Sequence, residues 1–220
     1  MRVLPGLEVL LSERVSLLRG KRIGLLAHPA SVDSQLQHAR DLLGSLRGVK
    51  LASLFAPEHG LWGQAQDHAE IRTGKDSRTS LTVQSLYGRR RTPTRASLAG
   101  LDVLVVDLQD VGARYYTFVW TMTLALGACG QAGVEVLILD RPNPLGGHRT
   151  EGNLLDARFA SFVGLSSIPV RHGVTIGELA GLVNHRHRLG CRLRVVPMKG
   201  WQRAMAWEET GLPWVSPSPN

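Results

Sequence analysis

Continuous apolar runs recur along the chain at intervals that leave room for a helix between them. Residues 22–27 (RIGLLA), 49–55, 103–108 and 134–139 are rich in Val, Ile and Leu and have the length of strands. A strand covered on both faces reads this way, because neither row of side chains meets water. Residues 34–46 place Leu36, Ala39, Leu42, Leu43 and Leu46 at helical spacing. Residues 118–131 and 175–189 read as two further helices. Residues 83–87 and 193–196 read as shorter strands, 97–101 as a short helix or turn, and 67–80 as a polar surface loop. Strands alternating with helices predict an α/β fold, a Rossmann-like parallel sheet with helices on both faces.

The strands end in dense polar and glycine clusters. Residues 54–63 read LFAPEHGLWG, 107–116 read DLQDVGARYY, and 140–147 read DRPNPLGG. Ligands of open α/β sheets sit beyond the carboxyl ends of the strands, so three such clusters on neighbouring strands predict one site. Glu58 is the leading catalytic candidate. A carboxyl group just past a buried strand is partly desolvated, which suits general-acid work. The competing reading is a cap on a following helix. His59 would tune Glu58 or hold substrate. Asp107 lies within its strand and reads as structural, whereas Asp110 and Arg114 are better placed to meet a ligand. Of Tyr115 and Tyr116, one is expected in the core and one at the surface. Asn143, between Pro142 and Pro144, is pushed toward extended backbone. Glu151 offers a second carboxylate. Thr175 and Glu178 have the spacing of a capping box, which makes Glu178 a cap rather than a catalyst.

Composition narrows the function classes. The 220 residues suffice for one ordinary domain, and 43% are hydrophobic. The formal charge of +8 raises nucleic acid as a partner, but the arginines are scattered and no basic run is interleaved with aromatics, so no nucleic-acid partner is expected. Arg89-Arg90-Arg91 reads as a solvated loop. Cys129 and Cys191 have neither a disulfide framework nor metal spacing, and His185 and His187 belong to a helix end rather than a metal pair. No apolar run reaches the ~18 residues of a membrane span, and residues 4–11 are broken by Pro5, Gly6 and Glu8, so a cytoplasmic protein is expected. No glycine-rich dinucleotide or phosphate fingerprint follows the first strand, which argues against a nucleotide cofactor.

The motifs FAPEHGLWG, SLYG, DLQDVGARYYTF, LDRPNPLGG, EGN, RHG, GEL and GLPW with PSPN, taken in this order, resemble those of the exo-acting β-N-acetylmuramidases. This glycoside hydrolase family was first catalogued as a domain of unknown function. The resemblance runs from about residue 7 to the end. It implies a Rossmann-like catalytic domain over residues 1–210. Residues 211–220 would begin a connection to a C-terminal domain that completes the cleft and is absent from this chain. It implies release of terminal N-acetylmuramic acid from peptidoglycan fragments in cell-wall turnover, without metal or organic cofactor. Glu58 matches the family's EHG glutamate, and Tyr115, Tyr116, Asp110, Arg141, Asn143 and His172 fall on other motif positions. Asp110 and Glu151 are candidates for the second catalytic group. Arg114, Arg141 and Arg171 are available for the lactyl carboxylate of muramic acid. The alternative is a truncated domain that binds a muramyl ligand without turning it over.

Overall fold

A computed structural model describes residues 2–66, 69 and 71–219; Met1, Asp67, His68, Glu70 and Asn220, which include part of the expected polar loop, lie outside the described residues. Among the described residues, seven strands form one sheet in the order β3-β4-β2-β1-β5-β6-β7. They are β1 (Arg22–Ala27), β2 (Lys50–Ala56), β3 (Gly74–Lys75), β4 (Thr82–Ser85), β5 (Val103–Asp107), β6 (Glu135–Leu139) and β7 (Leu193–Val196). All neighbours pair parallel except β3, which runs antiparallel to β4 at the edge. The strand order runs outward from β1 to β2 and β4 on one side and from β5 to β6 and β7 on the other, so the switch point lies between the ends of β1 and β5.

Each central strand feeds two cores at once. Leu104, Val106, Val136 and Ile138 pack with α4 (Thr117–Ala132) and α5 (Ile176–Arg186) on one face. Val103, Val105, Leu137 and Leu139 pack with α1 (Gly6–Val9) and α2 (Ala39–Gly44) on the other. This two-sided burial is why the strands read as unbroken apolar runs. The cluster at the α4–α5 face includes the fully buried Trp120, whose ring nitrogen donates to Arg114 O at 2.7 Å. Helix α4 ends at Gly133, which takes the left-handed conformation (φ 71°) that closes a helix at little cost to glycine. A short α3 (Arg95–Leu98) precedes β5.

Helix α2 is shorter than the apolar spacing predicts. Asp33 accepts the backbone N–H groups of Gln35 and Gln37, and Leu36 is turned to φ 62°. That local hydrogen bonding competes with helix formation until His38, whose side chain caps α2 by accepting from Arg40 N. The expected irregular loop contains β3, an element too short to show in a sequence pattern. Its Asp76 is buried and ion-paired with Arg40 at 2.9 Å. The capping box at the start of α5 forms as predicted: Thr175 Oγ1 accepts from Glu178 N and Glu178 Oε2 accepts from Thr175 N.

The two ends of the described chain are tied together. Val3 N donates to Thr210 O at 2.9 Å, and Leu4 and Lys199 bridge antiparallel. Residues 211–219 run back toward the carboxyl end of the sheet, where Pro217 and Ser218 are buried and Ser218 meets Tyr116.

Candidate active site

The loop after β2 turns sharply over residues 57–60. Gly60 N donates to Pro57 O at 3.1 Å, and both His59 (φ 67°) and Gly60 (φ 82°) are left-handed. A left-handed histidine is strained, a state that persists only where surroundings impose it. Its Nδ1–H donates to Ala65 O at 3.0 Å. The turn holds Glu58 inward, 8% exposed, and the described residues 59–66 that follow form no helix for it to cap. Glu58 Oε2 accepts the Thr117 hydroxyl at 2.8 Å, from the first residue of α4.

The β5 end supplies the opposite wall. Gln109 is locked by its side-chain amide, which donates to the carbonyls of Asp110 and Pro142. Its backbone N–H donates to Nε2 of the buried His28 at 2.8 Å. Burial, aided by the charge of Arg141, pushes His28 down to about 3, so it stays neutral. Asp110 Oδ2 accepts from Gly112 N at 2.8 Å and lies 3.0 Å from His172 Nε2. Asp110 Oδ1 and Gln109 Oε1 are buried with no hydrogen-bond partner among the described residues, and His172 Nε2 has the Asp110 contact but no well-formed hydrogen bond.

Tyr116 joins the two walls. Burial pushes its hydroxyl above the ordinary range, and the neighbouring carboxylates of Asp110 and Glu58 push the same way. The Ser218 hydroxyl opposes the shift, although its approach falls short of a well-formed hydrogen bond. Tyr116 thus remains a protonated donor at neutral pH. Tyr115 is 61% exposed, so the expected division of the pair holds.

The remaining predicted site residues have other company. Arg141 makes a buried, two-pronged ion pair with Asp107 (2.6 and 2.8 Å) and donates to Val32 O. Asn143 donates to Val174 O and accepts from Leu145 N, which pins the Pro142–Pro144 loop. Arg114 donates from one nitrogen to the carbonyls of Asn153 and Ile168. Arg171 pairs with Glu151 at 3.2 Å and donates to Leu145 O. Glu151 is exposed, and no contact joins it to Glu58 or Asp110 among the described residues. Sequence reasoning missed Thr117, His28, Gln109 as a locked spacer, and Asp140. The signal for Asp140 was its place at a strand end. It accepts from Arg141 N, Thr175 Oγ1 and Gly177 N, and burial raises it to about 6. A Cβ at Gly177 would fall 2.8 Å from Asp140 Cγ, so only glycine lets α5 approach this carboxylate.

No group of three or more His, Cys, Asp and Glu side chains among the described residues is arranged to hold a metal ion, and no helix is long and apolar enough to cross a membrane. The arrangement offers a carboxyl group held by a hydroxyl, a second carboxylate against an imidazole, and a protonated phenol. That set can exchange protons with a polar substrate at the carboxyl end of the sheet.

Residues 23–220 match the family model described as exo-beta-N-acetylmuramidase NamZ, N-terminal. The chain is 45% identical over 219 residues to the peptidoglycan beta-N-acetylmuramidase NamZ of Bacillus subtilis (strain 168), covering all of this chain and 53% of that protein. Two crystal structures of DUF1343 family proteins from Bacteroides fragilis NCTC 9343 share the fold. One has a TM-score of 0.91 and 43% identity over 99% of this chain and 56% of that one. The other has a TM-score of 0.79 and 32% identity over 94% and 55%. The chain spans about half the length of the relatives it matches.

Proposed function

The chain belongs to the exo-β-N-acetylmuramidase NamZ N-terminal family, and from that premise we propose that it carries the catalytic groups of a glycosidase that releases terminal N-acetylmuramic acid from peptidoglycan fragments. One observation carries the reading. Asp110 Oδ1 and Gln109 Oε1 are buried without hydrogen bonds among the described residues, at the same end of the sheet as Glu58, where ligands of such sheets bind. Buried polar atoms are nearly always partnered, and the hydroxyl and amide groups of a sugar supply partners of the right kind.

Glycoside hydrolysis needs an acid for the leaving oxygen and a second group that supplies or activates the nucleophile. Glu58 is the proton donor in this reading, held in place by the Thr117 hydroxyl. Asp110 is the second group, ahead of Glu151, because it is buried and backed by His172 whereas Glu151 is solvent-exposed and ion-paired. Tyr116, kept protonated by its surroundings, donates to the substrate and is no nucleophile. Arg141 and Asn143 hold the β6 loop that floors the site. A role in cell-wall turnover and a cytoplasmic setting complete the proposal. The two cysteines are free and buried, which suits a reducing compartment.

The test uses the full-length protein and a 4-nitrophenyl N-acetylmuramide. Glu58→Gln keeps the shape but cannot cycle a proton, so kcat is expected to fall roughly 10²–10⁴ fold with little change in affinity. A glycoside with a better leaving group loses less, because it needs less protonation. Turnover within a few fold of wild type would overturn the assignment. Binding of N-acetylmuramic acid with no turnover by the wild type would favour the ligand-binding alternative.

A further inference from the structure

Muramic acid differs from glucosamine by a lactyl ether that carries a carboxylate, and the arginines of the family motifs are already engaged. Arg141 is spent on Asp107, Arg114 clamps two carbonyls, and Arg171 bonds Glu151 and a carbonyl. A different set of cations lies beyond β4. A cavity of about 280 Å³ is lined by Arg72, Arg89 and Arg90 together with the hydroxyls of Ser85, Thr92 and Thr94. No carboxylate among the described residues lines it. Arg72 and Arg90 are exposed and, among the described residues, in no ion pair.

The cavity lies at the end of the strand next to the one that carries Glu58. Strand β4 pairs with β2 with Ser85 opposite Ala56, and Leu86 N donates to Ala56 O at 2.8 Å, two residues before Glu58. Ile71 and Arg72 also line a second cavity, walled by Gly60, Leu61 and Trp62 of that same loop. We propose that Arg72 and Arg90 bind the lactyl carboxylate of the terminal muramic acid and so set the preference for muramyl over glucosaminyl substrates. This deepens the saccharide reading above and rests on it. Guanidinium groups suit a carboxylate because their donors match its two oxygens, and the hydroxyls of Thr92 and Thr94 add donors beside them. The SLYG segment, which ends β4 and contributes Ser85 and Leu86 to the cavity wall, thereby acquires a role as the support of this subsite.

The experiment compares 4-nitrophenyl N-acetylmuramide with 4-nitrophenyl N-acetylglucosaminide, which lacks only the lactyl ether, in the full-length protein carrying Arg72→Gln with Arg90→Gln. The double variant is expected to lose roughly 10–100 fold in kcat/KM on the muramide and to stay within about twofold on the glucosaminide, the range for lost charge-assisted hydrogen bonds. Because both residues are exposed, thermal unfolding should not move. An equal loss on both substrates, or none on the muramide, overturns the proposal. Calorimetric titration of N-acetylmuramic acid and N-acetylglucosamine decides the same point without turnover. If the wild type hydrolyses neither glycoside yet binds the muramyl sugar more tightly, and the double variant erases that margin, the catalytic reading fails while this subsite stands. If the wild type binds both sugars equally, the subsite falls.

Discussion

The ends of β5 and β6 look alike in sequence, each a buried strand running into aspartate, amide and arginine, yet they behave oppositely in the fold. At the β6 end the polar side chains are consumed internally. Asp140 accepts three hydrogen bonds, Arg141 makes an ion pair and a carbonyl contact, and Asn143 both donates and accepts. At the β5 end, Asp110 Oδ1 and Gln109 Oε1 are buried without hydrogen-bond partners among the described residues, and His172 Nε2 meets Asp110 Oδ2 at 3.0 Å. A polar cluster past a strand is therefore not a site in itself. Hydrogen-bond accounting separates the cluster that braces the sheet from the one built to meet a ligand.

The sharpest way to break this comparison is to make the same change at Asp110 and at Asp107, the carboxylate that neutralises Arg141 of the β6 end. Asp110→Asn in the full-length protein is expected to cost roughly 10²–10⁴ fold in kcat if Asp110 acts in proton transfer, with urea unfolding shifted little. Asp107→Asn should do the reverse. It leaves the Arg141 guanidinium buried and uncompensated, a loss of about 3–5 kcal/mol in unfolding free energy. Similar stability losses for both variants would erase the distinction.

A smaller effect comes from pH. His28 is held down near 3 by burial, so the stability it confers is complete above its unfolded value of 6.5 and is lost as pH falls toward 3. His38, lowered mainly by burial, acts in the same direction. Asp140 is raised from 3.8 to about 6, chiefly by burial, so its contribution is complete below pH 4 and is lost as pH rises through 6. Between pH 4 and 6 the two effects oppose. Asp140→Asn removes one of them, and unfolding free energy plotted against pH should become steeper in that window, by up to about 1.4 kcal/mol per pH unit. An unchanged slope would show that Asp140 does not titrate there.

The smallest expected effect is at Glu178, which caps α5 and pairs with Arg203 at the surface. Glu178→Gln retains a side chain able to accept from Thr175 N, so the cost should be about 1 kcal/mol or less, with kcat unchanged. Loss of activity in this variant with Glu58→Gln still active would mean the carboxylates were assigned the wrong way round.

Much of the architecture was legible because it follows local rules. Unbroken apolar runs can exist only where both faces of a strand are covered, and that locates β1, β2, β5 and β6 within a residue or two. Thr175 and Glu178 satisfy each other's orphan groups within one helical turn, so their cap could be read without knowing the fold. The polar clusters at the strand ends brought Glu58 and Asp110 forward as candidates, and the family resemblance added His172. Their grouping needed the parallel sheet, which brings residues 58, 110 and 172 to one end. The division of labour among charged residues was not legible at all. Whether Arg141 meets Asp107, whether Asp110 keeps an unpartnered oxygen, and whether Arg72 and Arg90 face a shared cavity depend on contacts between segments far apart in the chain. A residue's type sets what it can bond. Only the packing of distant segments decides which of those bonds are already made, and so which groups are left to act on something else.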